Sequence, residues 1–517
     1  MNLLAYMIER SARYYKNNTA LISEGELMTF EQVHKISNTL SNTFQKLGVT
    51  KGERVGILLP NSSPYCIADF ALIKSGLVRV PLNTRLTTNE IEYILNDSNA
   101  SILIYGNDYA MKVSEIRDNI PFVKHFICVG NENTSDLSYE KLLTQNSPEN
   151  DYVDTNEEDL FQILYTSGTT GKPKGAVTDV RSRISSLNNV FIDELMIKPT
   201  DAMIHVASLA HGGGTKVLPH FVKGAANILM PKFQVDEFFN LVEKYGATTT
   251  WMVPTMISML VQFENLHEYD YSSLNTIIYA GAPMPVATLK RAIDVFGNIF
   301  VQVYGLSEAP NPDLVLTKND HITGLYEKPR ILASAGREIM NARVLLIDKD
   351  GNEVPTGEIG EVIISGDNIM KEYWGLREAT KETIRDGWLY TGDLAKKDED
   401  GYIYIVDRRK DMIISGGYNI YPREIEEVLY QHQSVLEATV FGIPDNKWGE
   451  SVKACVALRQ GETVTAVELI EYCRKFLASY KKPKSIDFLD ELPKSSNGKI
   501  LKRELRSQYW QSCDRQV

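Results

Sequence analysis

The sequence has few cysteines, no long hydrophobic run and no excess of positive charge. Its five cysteines, among 517 residues, are scattered and lack the C-x-x-C spacing that zinc and redox sites use. We therefore expect idle thiols in a reducing compartment. Lys and Arg total 55 against 67 Asp and Glu, a net charge of −12, so no general affinity for nucleic acid is expected.

The amino terminus lacks the features of a targeting or membrane segment. Its apolar run is brief, because Glu9 and Arg10 interrupt it. A signal peptide has a basic start and a longer apolar stretch, and a membrane span needs about 20 apolar residues. The sequence therefore predicts a protein without a transmembrane segment, located in the cytoplasm.

The residues that are present indicate a multidomain α/β protein. Hydrophobic residues make up 43% of the chain and charged residues 24%, the balance of a globular protein. The length predicts three or four domains or subdomains. Short apolar runs, such as 54–59, 101–105 and 160–165, alternate with amphipathic helical stretches up to about residue 306. This alternation predicts parallel α/β layers.

The pattern changes in the last third of the chain. Residues 333–406 contain short strands separated by turn signals, namely Asp350-Gly351, Asp386-Gly387 and Asp400-Gly401. They predict a small antiparallel barrel or sandwich. A mixed α+β segment follows. We expect a large N-terminal domain over 1–407, which includes this β-barrel-like subdomain, and a small α+β C-terminal domain over 408–517.

The most informative stretch is the loop Tyr165-Thr-Ser-Gly-Thr-Thr-Gly-Lys-Pro-Lys-Gly175. Its three glycines allow successive backbone amides to point at one anion, and its hydroxyl groups and two lysines suit a polyphosphate. The spacing differs from that of the G-x-x-x-x-G-K-[ST] loop, because Lys172 is followed by proline. By composition alone, the same run is also typical of a flexible surface loop.

This loop resembles the signature of the adenylate-forming superfamily, which includes acyl-CoA synthetases, aryl-CoA ligases and the adenylation domains of peptide synthetases. Other segments that resemble family motifs follow in the same order: Ala280-Gly-Ala-Pro-Met284, Tyr304-Gly-Leu-Ser-Glu308, Tyr390-Thr-Gly-Asp393, Asp407-Arg-Arg-Lys-Asp411, Gly416-Gly-Tyr-Asn-Ile-Tyr-Pro422 and Pro493-Lys-Ser-Ser-Asn-Gly-Lys499. The resemblance spans nearly the whole chain. It implies that a carboxylic acid reacts with ATP to form an acyl-adenylate, and that the acyl group then passes to a thiol, normally that of coenzyme A.

The resemblance also implies a role for each matched residue. Lys499 is implied to bridge the substrate carboxylate and the α-phosphate, and Glu308 to bind the Mg²⁺ that accompanies ATP. Positive charge is needed because both reacting groups are anionic. The remaining implied ATP-binding residues are Thr166, Ser167, Gly168, Thr169, Thr170, Gly171, Lys172, Lys174, Gly281, Ala282, Pro283, Tyr304, Gly305, Ser307, Asp393 and Arg408. Of these, Asp393 and Arg408 are implied to hold the ribose.

The second half-reaction needs another geometry, which the family reaches by rotating its mobile C-terminal domain. Lys410 matches the hinge position of that rotation. Gly416 and Gly417 match the loop that lines the pantetheine tunnel, although the same pair is typical of a tight turn. The acyl pocket is implied to include His211, Gly212, Ala280 and Gln302. The small residues of these segments predict space for a bulky aromatic or long apolar acid.

Two other functions fit parts of the sequence. His211-Gly212-Gly213-Gly214 matches an oxyanion motif of α/β-hydrolases, and Ser307 lies in a near match to a nucleophile elbow. That hypothesis leaves the loop at 165–175 and Lys499 unexplained. The resemblance to peptide-synthetase domains implies that an amino-acid activator would carry an aspartate near 207–211 to pair with the substrate ammonium. This stretch contains no acid, so that function is disfavoured. Transfer to an acyl carrier protein instead of coenzyme A stays open.

Overall fold

A computed structural model describes residues 1–131, 135–149, 152–166, 172–310, 312–495 and 500–510. The first part of the chain forms the predicted alternation of helices and strands. Its elements are α1 (Leu3–Tyr14), β1 (Thr19–Ser23), β2 (Glu26–Thr29), α2 (Phe30–Lys46), β3 (Arg54–Leu58), α3 (Ser63–Ser75), β4 (Val78–Pro81), α4 (Thr88–Asp97), β5 (Ala100–Gly106), α5 (Ala110–Ile116), β6 (His125–Val129), β7 (Leu137–Ser138), α6 (Tyr139–Gln145) and β8 (Leu160–Thr166).

The alternation continues through the second part of the chain. Its elements are β9 (Lys174–Asp179), α7 (Val180–Asn189), β10 (Ala202–His205), α8 (Val217–Val222), β11 (Ala226–Leu229), α9 (Val235–Tyr245), β12 (Thr249–Met252), α10 (Pro254–Val261), β13 (Thr276–Tyr279), α11 (Val286–Phe296), β14 (Phe300–Tyr304), β15 (Leu314–Leu316), α12 (Lys318–Tyr326) and β16 (Arg337–Glu338).

The remaining elements are mostly strands up to Arg408 and mixed after it. They are β17 (Ala342–Ile347), β18 (Ile359–Gly366), β19 (Glu372–Tyr373), α13 (Arg377–Thr383), β20 (Ile384–Arg385), β21 (Trp388–Lys397), β22 (Ile403–Arg408), β23 (Ile413–Ser415), β24 (Tyr418–Ile420), α14 (Pro422–Tyr430), β25 (Val435–Asp445), β26 (Gly449–Leu458), α15 (Ala466–Phe476), β27 (Ser485–Phe488) and α16 (Lys502–Trp510). No described helix combines the length and the apolar character that a bilayer crossing requires.

Two large sheets form the α/β layers. One has nine strands in the order β16-β15-β14-β13-β12-β10-β11-β1-β2, and the other has eight in the order β19-β9-β8-β4-β3-β5-β6-β7. Helix α3 contacts strands of both, and its Phe70 packs edge-on against Phe221 of α8. This helix, which is buried along nearly its whole length, joins the sheets into one body.

Local sequence signals account for several element boundaries. Thr29 begins α2 with a capping box. Its side chain accepts a hydrogen bond from the Gln32 amide, and the Gln32 side chain accepts one from the Thr29 amide. Asp386 and Gly387 both have positive φ and connect β20 to β21 as a two-residue hairpin. The turn at Asp386-Gly387 was predicted and is confirmed.

The β-rich part is a five-stranded sheet in which β17, β18, β21, β20 and β22 pair only in antiparallel fashion. One short strand from the same stretch behaves differently. Strand β19 leaves this sheet and pairs with β9 at the edge of the eight-stranded sheet. The C-terminal sheet, β24-β23-β26-β25 with β27 beside β26, has its own core. The boundary between residues 407 and 408 stays a prediction.

Candidate active site

The predicted phosphate loop connects β8 to β9. Thr166 and Lys174 face each other where these antiparallel strands end, and the Thr166 hydroxyl donates to the Lys174 carbonyl at 3.4 Å. The ammonium of Lys172 lies 5.3 Å from the ring centroid of Tyr93. Both lysines therefore lie at the mouth of the hairpin. The predicted residues Ser167, Gly168, Thr169, Thr170 and Gly171 lie outside the described part of the chain.

Tyr373, a residue that the sequence analysis did not predict, links Glu308 to this hairpin. The ammonium of Lys174 is 5.1 Å from the ring centroid of Tyr373, and the Tyr373 hydroxyl donates to Oε1 of Glu308 at 2.8 Å. The amide of Met370 also donates to the Glu308 carbonyl at 2.6 Å. Burial, and then the charge of Glu308, raise the pKa of Tyr373. Tyr373 therefore remains a hydrogen-bond donor at neutral pH.

A second carboxylate lies on the neighbouring β-rich sheet. Asp393 on β21 is almost fully buried and accepts a 2.6 Å hydrogen bond from the hydroxyl of Tyr304. Arg408 pairs with Asp393 across strands β21 and β22, and its Nε lies 3.4 Å from Oδ1. Each carboxylate oxygen thus has one partner and retains a lone pair. The arrangement suits recognition of two neighbouring hydroxyl groups, such as those of a ribose.

The predicted adenine-binding segments follow two neighbouring parallel strands. Ala280 continues β13, where its amide donates to the Met252 carbonyl, and Gly281 has a φ of +85° that favours glycine. Ala282 and Pro283 come next in the chain. After β14, Gly305 precedes a turn that contains Ser307 and is closed by a hydrogen bond from the Leu306 amide to the Ala309 carbonyl. Because β13 and β14 are paired, these loops begin at the same edge of the sheet.

The segment from Ala207 to Lys216 is held rigidly from beneath. Buried Asn61 donates to the carbonyls of His205 and Ala207 and accepts from the Leu209 amide. A Cβ at Gly214 would lie 2.1 Å from the Leu209 carbonyl oxygen, so this backbone approach requires glycine. His211 and Gly212 of the predicted acyl pocket therefore lie on a backbone of defined shape.

A fully buried ion pair anchors the end of the same segment. Nζ of Lys216 lies 2.6 Å from Oε2 of Glu194, and neither side chain is exposed. Burial raises the pKa of Glu194 and lowers that of Lys216, while the attraction between them opposes both changes. The Thr215 hydroxyl also donates to the Gly212 carbonyl at 2.6 Å. Breaking such a pair leaves a buried charge, so the pair fixes the position of the segment.

An indole that the sequence reasoning missed faces Gly212. Carbon Cζ2 of Trp251 lies 3.2 Å from the position that a Cβ at Gly212 would take. Ala280 belongs to the same buried apolar cluster as Trp251. The side chain of Gln302 alternates with those of Val301 and Val303, which are also in that cluster, so it points to the other face of β14. The acyl-pocket role of Gln302 stays a prediction.

The segment around the predicted hinge is crowded with charge. Lys410 is exposed, yet the surrounding protein and then the nearby Arg408 lower its pKa to about 8. From α14, Arg423 donates to the carbonyl of Ile405 on β22 and to that of Ala333. These hydrogen bonds of Arg423 thus join the part of the chain that follows Lys410 to the part that precedes it.

The predicted coenzyme A loop is a tight hairpin. Gly416 and Gly417 both have positive φ and connect Ser415 to Tyr418, which face each other across β23 and β24. A Cβ at Gly416 would lie 2.7 Å from the Trp448 ring. The backbone turn and this close contact account for both glycines, and their role toward coenzyme A stays a prediction.

Lys499 lies outside the described residues, but the chain on either side of its loop is defined. Lys494 and Ile500 form an isolated β-bridge, and Nζ of Lys502 lies 2.8 Å from Oε1 of Glu426. Burial disfavours the charge of Lys502, but Glu426 and Asp407 raise its pKa overall. Lys502, the first residue of α16, is therefore held against Glu426 of α14.

Among the described residues, no three His, Cys, Asp or Glu side chains form a metal-binding group. Mg²⁺ needs no such group when it arrives with a nucleotide, because phosphates and water supply most of its ligands. A single carboxylate near the phosphate loop then suffices. Glu308, with Oε1 held by Tyr373, fits that requirement.

Comparison with known proteins places this geometry in context. Residues 8–374 match the family model described as AMP-binding enzyme, and residues 424–499 match that of its C-terminal domain. The chain is 37% identical over 509 residues to a feruloyl-CoA synthase of an Amycolatopsis species, covering 97% of this chain and 98% of that protein.

Two further comparisons cover nearly the whole chain. The chain is 34% identical over 510 residues to the fatty acid–[acyl-carrier-protein] ligase ScoC of Streptomyces coeruleorubidus, covering 98% of this chain and 96% of the relative. The crystal structure of the anthranilate CoA ligase AuaEII in complex with anthranoyl-AMP has a TM-score of 0.90 at 28% identity, over 98% and 97% of the two chains. The predicted fold class, a large α/β part followed by a small α+β domain, is confirmed.

Proposed function

The chain belongs to the AMP-binding enzyme family of AMP-forming acid:CoA ligases, and from this premise we propose that it activates an aromatic or a medium- to long-chain fatty acid. The acid and ATP form acyl-AMP and pyrophosphate, and coenzyme A then displaces AMP to form the thioester. The observation that carries the proposal is the meeting of Lys174, Tyr373 and Glu308 beside the phosphate loop. Residues from distant segments assemble there as binding of a magnesium–nucleotide complex requires.

In the first half-reaction the chain holds ATP at three points. Lys172 and Lys174 face the polyphosphate. Asp393 accepts hydrogen bonds from the ribose hydroxyls, and Tyr304 and Arg408 hold the Asp393 carboxylate in place. Glu308 would hold the Mg²⁺ that accompanies ATP, and this ion would neutralise charge on the phosphates. Lys499 approaches from the C-terminal domain and offsets the repulsion between the carboxylate and the α-phosphate. One carboxylate oxygen then bonds to the α-phosphorus as pyrophosphate leaves.

In the second half-reaction the C-terminal domain, from residue 408 onward, rotates about Lys410. This movement removes Lys499 and brings the loop of Gly416 and Gly417 to the site, where it borders the pantetheine arm of coenzyme A. The thiolate attacks the acyl carbonyl, the bond to AMP breaks, and the thioester forms. The AMP phosphate leaves with the bonding electron pair.

The test is a panel of aromatic, fatty and dicarboxylic acids, measured by pyrophosphate release with and without coenzyme A. We expect acid-dependent release of pyrophosphate and an acyl-CoA detectable by mass spectrometry. Absence of ATP consumption with every acid would contradict the proposal. Release of pyrophosphate with no thioester from coenzyme A, but with acyl transfer to a carrier protein, would identify the alternative acceptor. Ester hydrolysis without ATP would instead favour the hydrolase.

A further inference from the structure

The start of helix α14 is capped by a residue from the other side of the predicted hinge. Its own N-cap residue, Tyr421, makes no side-chain hydrogen bond to the helix, and Pro422 follows it. The acceptor that a helix start needs is supplied by Asp407 of β22, whose Oδ2 accepts from the Arg423 amide at 3.1 Å. Asp407 precedes Lys410 and Arg423 follows it, so this cap crosses the hinge.

The side chain of Arg423 makes two further contacts across the hinge. Its guanidinium is only 15% exposed and donates to the carbonyl of Ile405 and, at 3.5 Å, to that of Ala333. The fork of donors on a guanidinium allows one residue to bind both carbonyls. Glu427, on α14 itself, is farther away, with its Oε1 4.0 Å from Nε of Arg423. The closest polar contacts of this side chain are therefore with the part of the chain before the hinge.

The predicted coenzyme A loop stands apart in the same orientation. Gly416 lies against Trp448, and the ring of Tyr418 stacks on that of Tyr480 with centroids 4.8 Å apart, so these neighbours all belong to the C-terminal part. No described atom lies within 4 Å of the position that a Cβ at Gly417 would take, and Tyr418 is 59% exposed. This orientation therefore differs from the one proposed for thioester formation, in which the loop borders the pantetheine arm.

Rotation about Lys410 breaks the contacts of Arg423, because it moves this residue while Ile405 and Ala333 stay with the N-terminal domain. We propose that Arg423 is a positioning residue for adenylation. It holds the C-terminal domain, and with it Lys499, in the orientation described, and it releases both carbonyls when the domain turns toward thioester formation. A hydrogen bond to a charged group shifts such an equilibrium by about tenfold. This inference rests on the proposed function, because it assumes two half-reactions.

The test measures the two half-reactions separately in Arg423→Ala. Acyl-AMP formation is followed by single-turnover pyrophosphate release without coenzyme A, using the acid of the panel that wild type activates fastest. Thioester formation is followed from the matching acyl-AMP supplied with coenzyme A. The ratio of the first rate to the second should fall by at least about tenfold relative to wild type. The cap from Asp407 persists in this variant, because the backbone amide donates it.

Two further variants make the comparison specific. Arg423→Lys keeps the charge but lacks the fork that reaches two carbonyls, so its ratio should lie between those of wild type and Arg423→Ala. Arg474→Ala is the matched control from the same domain. Arg474 is exposed on α15 and pairs with Glu471 of the same helix, so its loss should leave the ratio unchanged.

A fall of both rates by the same factor in Arg423→Ala overturns the inference, because general damage to the domain has that effect. An unchanged or increased ratio also overturns it. If the alanine variant does not fold, Arg423→Lys decides the case, and a ratio equal to that of wild type overturns the inference. None of these results affects the proposed function, which fails only if no organic acid supports ATP consumption by wild type.

Discussion

The hydroxyl of Tyr373 donates a 2.8 Å hydrogen bond to Oε1 of Glu308, although the two residues lie 65 positions apart in the sequence. The contact exists because β19 pairs with β9, at the end of the phosphate-loop hairpin. It connects the carboxylate proposed for Mg²⁺ to the ring beneath Lys174. The phosphate-binding side of the site thus combines residues from both large sheets.

Tyr373→Phe should weaken adenylation without abolishing it. The variant keeps the ring beside Lys174 and removes only the hydrogen bond that orients Glu308. We expect kcat/KM for pyrophosphate release to fall by about tenfold, the effect of one hydrogen bond to a charged group. Raising the Mg²⁺ concentration should restore part of the loss. Tyr326→Phe, on an exposed side chain, is the matched control. Full activity of Tyr373→Phe at low Mg²⁺ would refute the role.

Asp393→Ala should raise the KM for ATP strongly. The carboxylate is the proposed acceptor for both ribose hydroxyls, and it also holds the hydroxyl of Tyr304. Loss of charged hydrogen bonds costs about 1.5–3 kcal/mol each, so a KM increase of at least about tenfold is expected. Tyr304→Phe should show a smaller increase. The measurement is initial-rate kinetics with ATP and 2′-deoxyATP. If Asp393→Ala loses the same fraction of activity with ATP as with 2′-deoxyATP, the carboxylate has a structural role and does not recognise the ribose 2′-hydroxyl.

Lys499→Ala should separate the two half-reactions. Without the ammonium, formation of acyl-AMP is expected to fall by at least about a hundredfold, because an electrostatic contact in the transition state is lost. Thioester formation from supplied acyl-AMP and coenzyme A should be close to that of wild type. The two steps are measured separately, by pyrophosphate release and by thioester chromatography. Lys484→Ala, on an exposed lysine of the same domain, is the control. Equal loss of both steps would argue against the assignment.

Asp313 should make stability depend on pH. It is fully buried behind the Glu308 turn and accepts from Asn368 at 2.7 Å, while no described residue pairs with its Oδ2. Burial raises its pKa from the usual 3.8 to about 8. Below pH 3.8 the Asp313 carboxyl is protonated in both the folded and the unfolded protein. Between pH 3.8 and 8 it ionises freely only in the unfolded protein. Stability should therefore fall as pH rises through this window and level off above it.

Asp313→Asn mimics the protonated carboxyl and should remove this contribution. Between pH 5 and 8.5, the melting temperature of the wild type should fall by roughly 5 °C more than that of the variant. The difference between the two proteins isolates Asp313 from the other titrating groups. Parallel melting curves across the whole range would show that the carboxyl ionises normally.

Some of this structure could be predicted because the signals are local. The capping box at Thr29 involves a residue only three positions away, and the hairpin at Asp386-Gly387 needs only the φ angles of two adjacent residues. The apolar runs that became β3, β5 and β8 were recognisable because a buried parallel strand is apolar on both faces. The motifs likewise predict Glu308, Asp393 and Arg408 as site residues, and their roles toward the nucleotide stay predictions.

By itself, the sequence determined the kind of fold, the order of its elements and the residues proposed to bind the nucleotide, since these follow from local periodicity and from short motifs. Only the tertiary structure decided that Tyr373 holds Glu308 and that Trp251 lies against Gly212. Strand β19 has two residues, too few for any periodic pattern, and a tryptophan on a buried strand has the same local sequence whether it fills a core or borders a pocket. Such contacts depend on which strands and loops meet, and that is settled by packing across the whole domain.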